Sequence, residues 1–162
     1  MKQNTFNVKI TEFRTTDDLP EKDKELVEAA FTAAANAYAP YSGFTVGAAL
    51  RLKSNMIVTG NNQENAAYPS GLCAERVAMF YASSQYPGQS VETIAVVAPK
   101  AVAGLDEPVT PCGSCRQVMA EYEQLQKKPL RVIMTSGKGK CFLVEGMDNL
   151  LPLAFQARHL RK

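Results

Sequence analysis

The chain has 162 residues, 46% of them apolar and 21% charged, with a formal net charge of +2. That length fits one domain and that apolar share an ordinary core. The charge bias is too small to point to nucleic acid or an anionic membrane as partner.

No stretch nears the roughly 18 apolar residues of a membrane span, and residues 1–5 lack the apolar core of a secretory signal, so a cytoplasmic protein is expected. Thiols stay reduced there, and the four cysteines point to metal binding or catalysis rather than disulfides. A single histidine, His159, argues against a histidine-rich metal site or a histidine-based triad.

In chain order, residues 5–13 alternate weakly through Phe6, Val8 and Ile10, as a strand or an ordered arm would. Asp17, Asp18 and Pro20 mark a helix start. Leu26, Val27, Ala30, Phe31, Ala34 and Tyr38 then recur at helical spacing, which predicts a helix over 21–38 that Pro40 stops. The mixed charges of Glu21-Lys22-Asp23-Lys24-Glu25 read as its solvated face. After the turn Tyr41-Ser42-Gly43 come a strand over 44–52, a hairpin turn at Lys53-Ser54-Asn55 and a strand over 56–59. Residues 60–71 are loop-like. A helix begins near Cys73, a buried strand covers 91–98, and 99–111 is a loop. Thr110 as N-cap and Pro111 as first helical residue start the next helix. Strands follow at 130–135 and 141–144, then a helical turn at 148–151. Strands alternating with helices predict an α/β layered domain, and the early hairpin makes its sheet mixed.

The chemistry gathers in Cys73-Ala74-Glu75-Arg76 and Pro111-Cys112-Gly113-Ser114-Cys115-Arg116. Cys112 and Cys115, at i and i+3 in a first helical turn, share a face and can reach one zinc. Helix N-termini favour thiolate over thiol, and Cys73 opens the other helix in the same setting. Three protein ligands leave a tetrahedral zinc one open position, the pattern of a catalytic site, where a bound water is activated. Glu75, two residues from Cys73, suits a proton shuttle. Arg76 and Arg116 are read as donors to the thiolate sulfurs that offset their charge, with a surface ion pair as the alternative. Cys141 reads as a small buried residue and His159 as exposed. A structural zinc module lacks a fourth ligand, a redox pair at Cys112 and Cys115 leaves Glu75 unexplained, and no strand-binding groove for a polynucleotide is visible.

The motifs fit the all-cysteine version of the zinc deaminase signature, and residues 26–155 resemble the small homotetrameric cytidine deaminases of nucleoside salvage. Further points of likeness are Tyr41-Ser42-Gly43-Phe44-Thr45-Val46-Gly47-Ala48-Ala49, Asn62-Gln63-Glu64-Asn65-Ala66-Ala67-Tyr68 and Leu150-Leu151-Pro152-Leu153-Ala154-Phe155. The resemblance implies a three-layer α/β/α sandwich with a roughly five-stranded mixed sheet, as a catalytic domain over 21–162 with an N-terminal extension over 1–20. It implies one zinc per subunit on Cys73, Cys112 and Cys115, Glu75 as the catalytic acid and base, and hydrolytic deamination of cytidine or 2′-deoxycytidine. By it Phe44 packs on a free pyrimidine nucleoside, Asn62 and Glu64 hold the ribose, and backbone at Ala74 reads the base. Tyr68 and Phe155 then lie near subunit boundaries of a homotetramer. On residue type alone, Asn62 would stabilise a turn, Glu64 would be solvated, and Phe44 and Phe155 would be core. Residues 1–19 and 156–162 have no clear counterpart in that family.

Overall fold

The structure, a computed structural model, describes residues 1–99 and 107–160. The expected loop over 99–111 therefore lies partly outside the described residues. A six-stranded mixed sheet runs through the molecule: β1 (Thr11–Phe13), β2 (Gly47–Leu52), β3 (Ile57–Asn61), β4 (Val91–Val97), β5 (Arg131–Thr135) and β6 (Cys141–Glu145), in the order β1-β6-β5-β4-β2-β3. The sixth strand is β1, which pairs antiparallel with β6 and extends the expected five-stranded sheet.

Helix α1 (Glu21–Ala34) covers one face, and α2 (Ala74–Gln85) and α3 (Gly113–Gln126) cover the other. Period-two alternation divides the strands between two cores. Leu50, Ile94, Val96, Val132 and Met134 point towards α2 and α3. Ala49, Ala95, Val97, Ile133 and Cys141 point towards Leu26, Val27 and Ala30 of α1. The result is the expected three-layer α/β/α arrangement.

Three departures have local causes. Helix α1 ends at Ala34, short of Tyr38, because Asn36 and Ala37 bond three residues back and the Tyr38 N–H donates to Asn62 O instead. Strand β2 begins at Gly47, not residue 44, because the Asn62 amide takes up Phe44 O and Val46 N–H, groups that a ladder would have used. The start of α3 also differs: Cys112 is its N-cap and Gly113 its first residue, while Thr110 Oγ1 and Pro111 O accept from Arg116. The charged start of α1 is not wholly solvated either. Asp23 is buried and receives two bonds from the Arg131 guanidinium, at 2.7 and 3.1 Å, a pairing that sequence spacing does not reveal across 108 residues.

Two glycines let the helices lie directly on the sheet. A Cβ at Gly47 would sit 1.9 Å from Ala30 O of α1. One at Gly60 would sit 2.6 Å from Ala78 N and 2.7 Å from Ala74 O of α2. The second contact seats the first turn of α2, which carries Glu75. Backbone cannot yield as a flexible side chain does, so Gly60→Ala is expected to lower the unfolding free energy by about 1–3 kcal/mol, as overpacking does. Urea denaturation reads this out, and a wild-type value would refute the close-approach account.

Candidate functional site

Cys73 is the N-cap of α2 and Cys112 the N-cap of α3, both in extended backbone conformation. Cys115 follows in the first turn of α3 and is fully buried. The sulfurs of Cys73, Cys112 and Cys115 all lie within 4.8 Å of one another and form a metal-binding group. Cys112 Sγ is 3.5 Å from Cys115 Sγ and 3.9 Å from Cys73 Sγ. Among the described residues, Cys141 and His159 stand outside this group. Cys141 is buried in β6, and His159 is exposed, as expected.

The electrostatics suit a cation. A hydrogen bond from the Cys115 thiol, against a burial penalty and with help from Arg76, brings the Cys73 thiol down to about 5. Cys115 is pushed up, first because it is the donor in that contact and then by burial. Glu75 is only 4% exposed. Burial, and next the Cys73 charge, raise its carboxyl above the ordinary range. Among the described residues its Oε2 is buried with no hydrogen-bond partner, which leaves one carboxylate oxygen uncommitted on a cavity wall shared with Cys73 and Cys112. Such an orphan is costly unless something occupies the site. Three thiols and this oxygen fit a zinc ion with an acid–base group next to it.

The two arginines separate. Arg76 Nη2 lies 3.7 Å from Cys73 Sγ and 3.5 Å from Gly71 O, as the sulfur-donor reading expects. Arg116 does not follow that reading: Nε donates to Pro111 O at 2.7 Å, Nη1 to Leu150 O at 3.0 Å and Nη2 to Thr110 Oγ1 at 3.0 Å. Its hydrogen bonds go to oxygen, which competes better than sulfur for a directional donor.

A cavity of about 610 Å³ opens in front of the sulfurs, and Phe44, Asn62, Glu64, Tyr68, Cys73 and Glu75 are among its walls. Tyr68 is 77% exposed at its rim, edge-on to Tyr41. Ala74 is fully buried and does not line it, although both its neighbours do. Phe155 lies off this cavity, 56% exposed, with its ring 5.5 Å from His159 and its backbone N–H and C=O both bonded to the Gln117 amide.

Asn62 and Glu64 also brace the segment before β2. Asn62 holds Phe44 O and Val46 N–H at 2.9 and 2.7 Å. Glu64 accepts from the N–H of Tyr41 and Ser42 and from the Ser42 hydroxyl, and these bonds, the hydroxyl first, hold its carboxyl below the usual range. Ser42 Oγ in turn accepts from Phe44 N–H at 3.0 Å. Sequence reasoning missed Ser42 and Gln117 as organising residues. Their partners lie 22 and 38 residues away, and no local pattern marks them.

Residues 20–128 match the family described as the cytidine and deoxycytidylate deaminase zinc-binding region. The chain is 48% identical over 135 residues to a cytidine deaminase of Halalkalibacterium halodurans, covering 83% of this chain and 95% of that one. It is 38% identical over 117 residues to one from Mycobacterium tuberculosis, covering 70% and 84%. The crystal structure of cytidine deaminase from Burkholderia pseudomallei superposes with a TM-score of 0.69 at 44% identity, covering 81% of this chain and 97% of that one. The fold and the cysteine cluster thus define a zinc-binding deaminase domain. The chain belongs to the cytidine and deoxycytidylate deaminase family.

Zinc must displace the proton that Cys115 holds, so its affinity should fall as pH falls. Chelator competition between about pH 8 and 6 is expected to show a weakening of about tenfold per pH unit for each proton displaced. A pH-independent affinity would contradict the protonated Cys115.

Proposed function

We propose that this chain is a zinc-dependent cytidine deaminase that converts cytidine, 2′-deoxycytidine or both to the uridine nucleoside and ammonia. The observation that carries the reading is the uncommitted, buried Glu75 Oε2 beside three clustered cysteine sulfurs at a cavity wall. Cys73, Cys112 and Cys115 would hold the zinc, which when bound supplies a Lewis acid able to generate a water-derived nucleophile near neutral pH.

Glu75 takes a proton from the attacking water at Oε2 and delivers it to N3 of the cytosine ring as the water oxygen bonds to C4. It then carries the proton of that new hydroxyl to the amine as the C4–N bond breaks, so that one water is consumed, C4 becomes a carbonyl and one ammonia is released. A raised carboxyl pKa suits a group that must both gain and lose a proton near neutrality. Arg76, close to Cys73 Sγ, offsets thiolate charge. Phe44 lies against the nucleoside, whereas Ala74, fully buried and off the cavity, is not placed to read the base edge. Asn62 and Glu64, already tied to the segment before β2, keep enough hydrogen-bonding capacity for ribose hydroxyls. The same two residues therefore shape the wall and bind the sugar.

Residues 21–162 are read as a single catalytic domain and 1–20 as an extension, supported by a family match that starts at residue 20 and by the edge position of β1. A homotetramer is inferred, with Tyr68 and Phe155 near subunit boundaries and Phe155 directed to a neighbour's cavity; their exposure supports this. A cytoplasmic role in pyrimidine salvage follows from a free nucleoside substrate.

Purified protein given cytidine is expected to deplete its ultraviolet band and release ammonia, to stop when a chelator strips zinc, and to recover when zinc is returned. No reaction with cytidine or deoxycytidine would overturn the function. Glu75→Gln is expected to retain zinc and lose at least about 10²–10⁴-fold in turnover. Near-wild-type turnover in that variant would remove Glu75 from the mechanism.

A further inference from the structure

Of the three metal-binding cysteines, Cys112 has the least support. Cys115 is fully buried within α3, and Cys73 is half-buried with Arg76 against its sulfur. Cys112 is exposed, and as an N-cap it makes no side-chain capping bond. Among the described residues its sulfur contacts only the other two sulfurs within hydrogen-bonding range. Its position must therefore be set by its backbone.

Both peptide groups that flank the Cys112 Cα end on Arg116. The carbonyl before it, Pro111 O, accepts from Arg116 Nε at 2.7 Å. The carbonyl after it, Cys112 O, accepts from the Arg116 backbone N–H at 3.0 Å. Holding both peptide planes fixes the two soft dihedrals between them, φ −67° and ψ 167°. The guanidinium is itself oriented by Thr110 Oγ1 and Leu150 O, each at 3.0 Å. Leu150 lies 34 residues away, in the segment after β6, so the anchor is independent of the helix that carries Arg116.

We propose that Arg116 is the positioning residue for Cys112, acting on this metal ligand through its flanking peptides and not by donating to sulfur. The inference rests on the zinc reading of the proposed function. It makes geometry, and not positive charge, the essential property of the side chain. A planar fork can serve three acceptors in fixed directions, whereas a lysine ammonium is a point charge on a flexible stem.

The test is thiol alkylation of the full-length protein with zinc in excess, resolved by residue through mass spectrometry. In Arg116→Lys, Cys112 is expected to react about 10–100-fold faster than in wild type, the range of affinity loss on removing outer metal-site partners. Cys73, Cys115 and the buried Cys141 should stay protected. Cys141 reports global opening, because it is fully buried in the core against α1, on the opposite face of the sheet from the helices that carry the metal group. Wild-type protection of Cys112 in Arg116→Lys overturns the inference while leaving the proposed function standing. Labelling of all four cysteines together also overturns it, since Arg116 then merely stabilises the fold. If Arg116→Lys does not fold, Thr110→Val decides: removal of one anchor should open Cys112 alone, by a smaller factor, and unchanged protection refutes the role. A wild-type protein that takes up no zinc overturns the proposed function, and the inference with it.

Discussion

The direction of three strands decides where everything else can be. Strand β2 is antiparallel to both β3 and β4, so β3 and β4 run the same way, and β5 runs parallel to β4. Helix α2 follows β3 and helix α3 follows β4, on the same face of the sheet. Both helices must then start at the same sheet edge, beyond the carboxyl ends of their strands, where open α/β sheets commonly bind ligands. Two helix N-termini brought together supply free N–H groups and partial positive charge to one point. Placing a cysteine at each N-cap turns that convergence into a thiolate site.

Close packing turns this topology into a defined geometry. Gly60 lets the backbone of α2 rest on β3, and Gly47 does the same for α1 on β2. A side chain at either position would hold its helix off the sheet, and at Gly60 that displacement would fall on the first turn of α2, next to Cys73. The cavity wall is fixed in a different way, by side chains that replace a ladder. Asn62 and Glu64 hold the backbone of Tyr41, Ser42, Phe44 and Val46, so the wall is rigid without being strand. Polar groups on that wall are therefore already oriented, and pre-organisation of this kind lowers the entropy a ligand loses on binding.

Charge is used twice and in contrasting ways. Near the sulfurs, burial of Glu75 keeps a carboxyl ready to hold a proton, and Arg76 stands against Cys73. On the opposite face, the buried Asp23 of α1 is matched by Arg131 of β5. Loss of Arg131 would leave the buried Asp23 carboxylate without its partner. The first arrangement sets the charge at the cysteine cluster and the second joins α1 to β5.

Local spacing marks the candidate metal-binding cysteines and the acid beside Cys73, while strand direction brings Cys73 to Cys112 and Cys115. An i, i+3 cysteine pair at a helix start and a cysteine two residues from a glutamate carry their geometry in the chain itself. The helices and strands were legible for the same reason, since period 3.6 and period 2 are local properties. Element ends were less so: Asn62, distant in sequence, decided the end of α1 and the start of β2, while α3 starts at Gly113 and not at the Pro111 that its composition suggests. Arg116 is the sharpest case. Its place beside Cys115 suggests a sulfur donor, yet its guanidinium goes to Pro111, Thr110 and Leu150. Where a long side chain finds its acceptor depends on which carbonyls the folded chain leaves unpaired nearby. No spacing encodes that, so only the tertiary structure decides it.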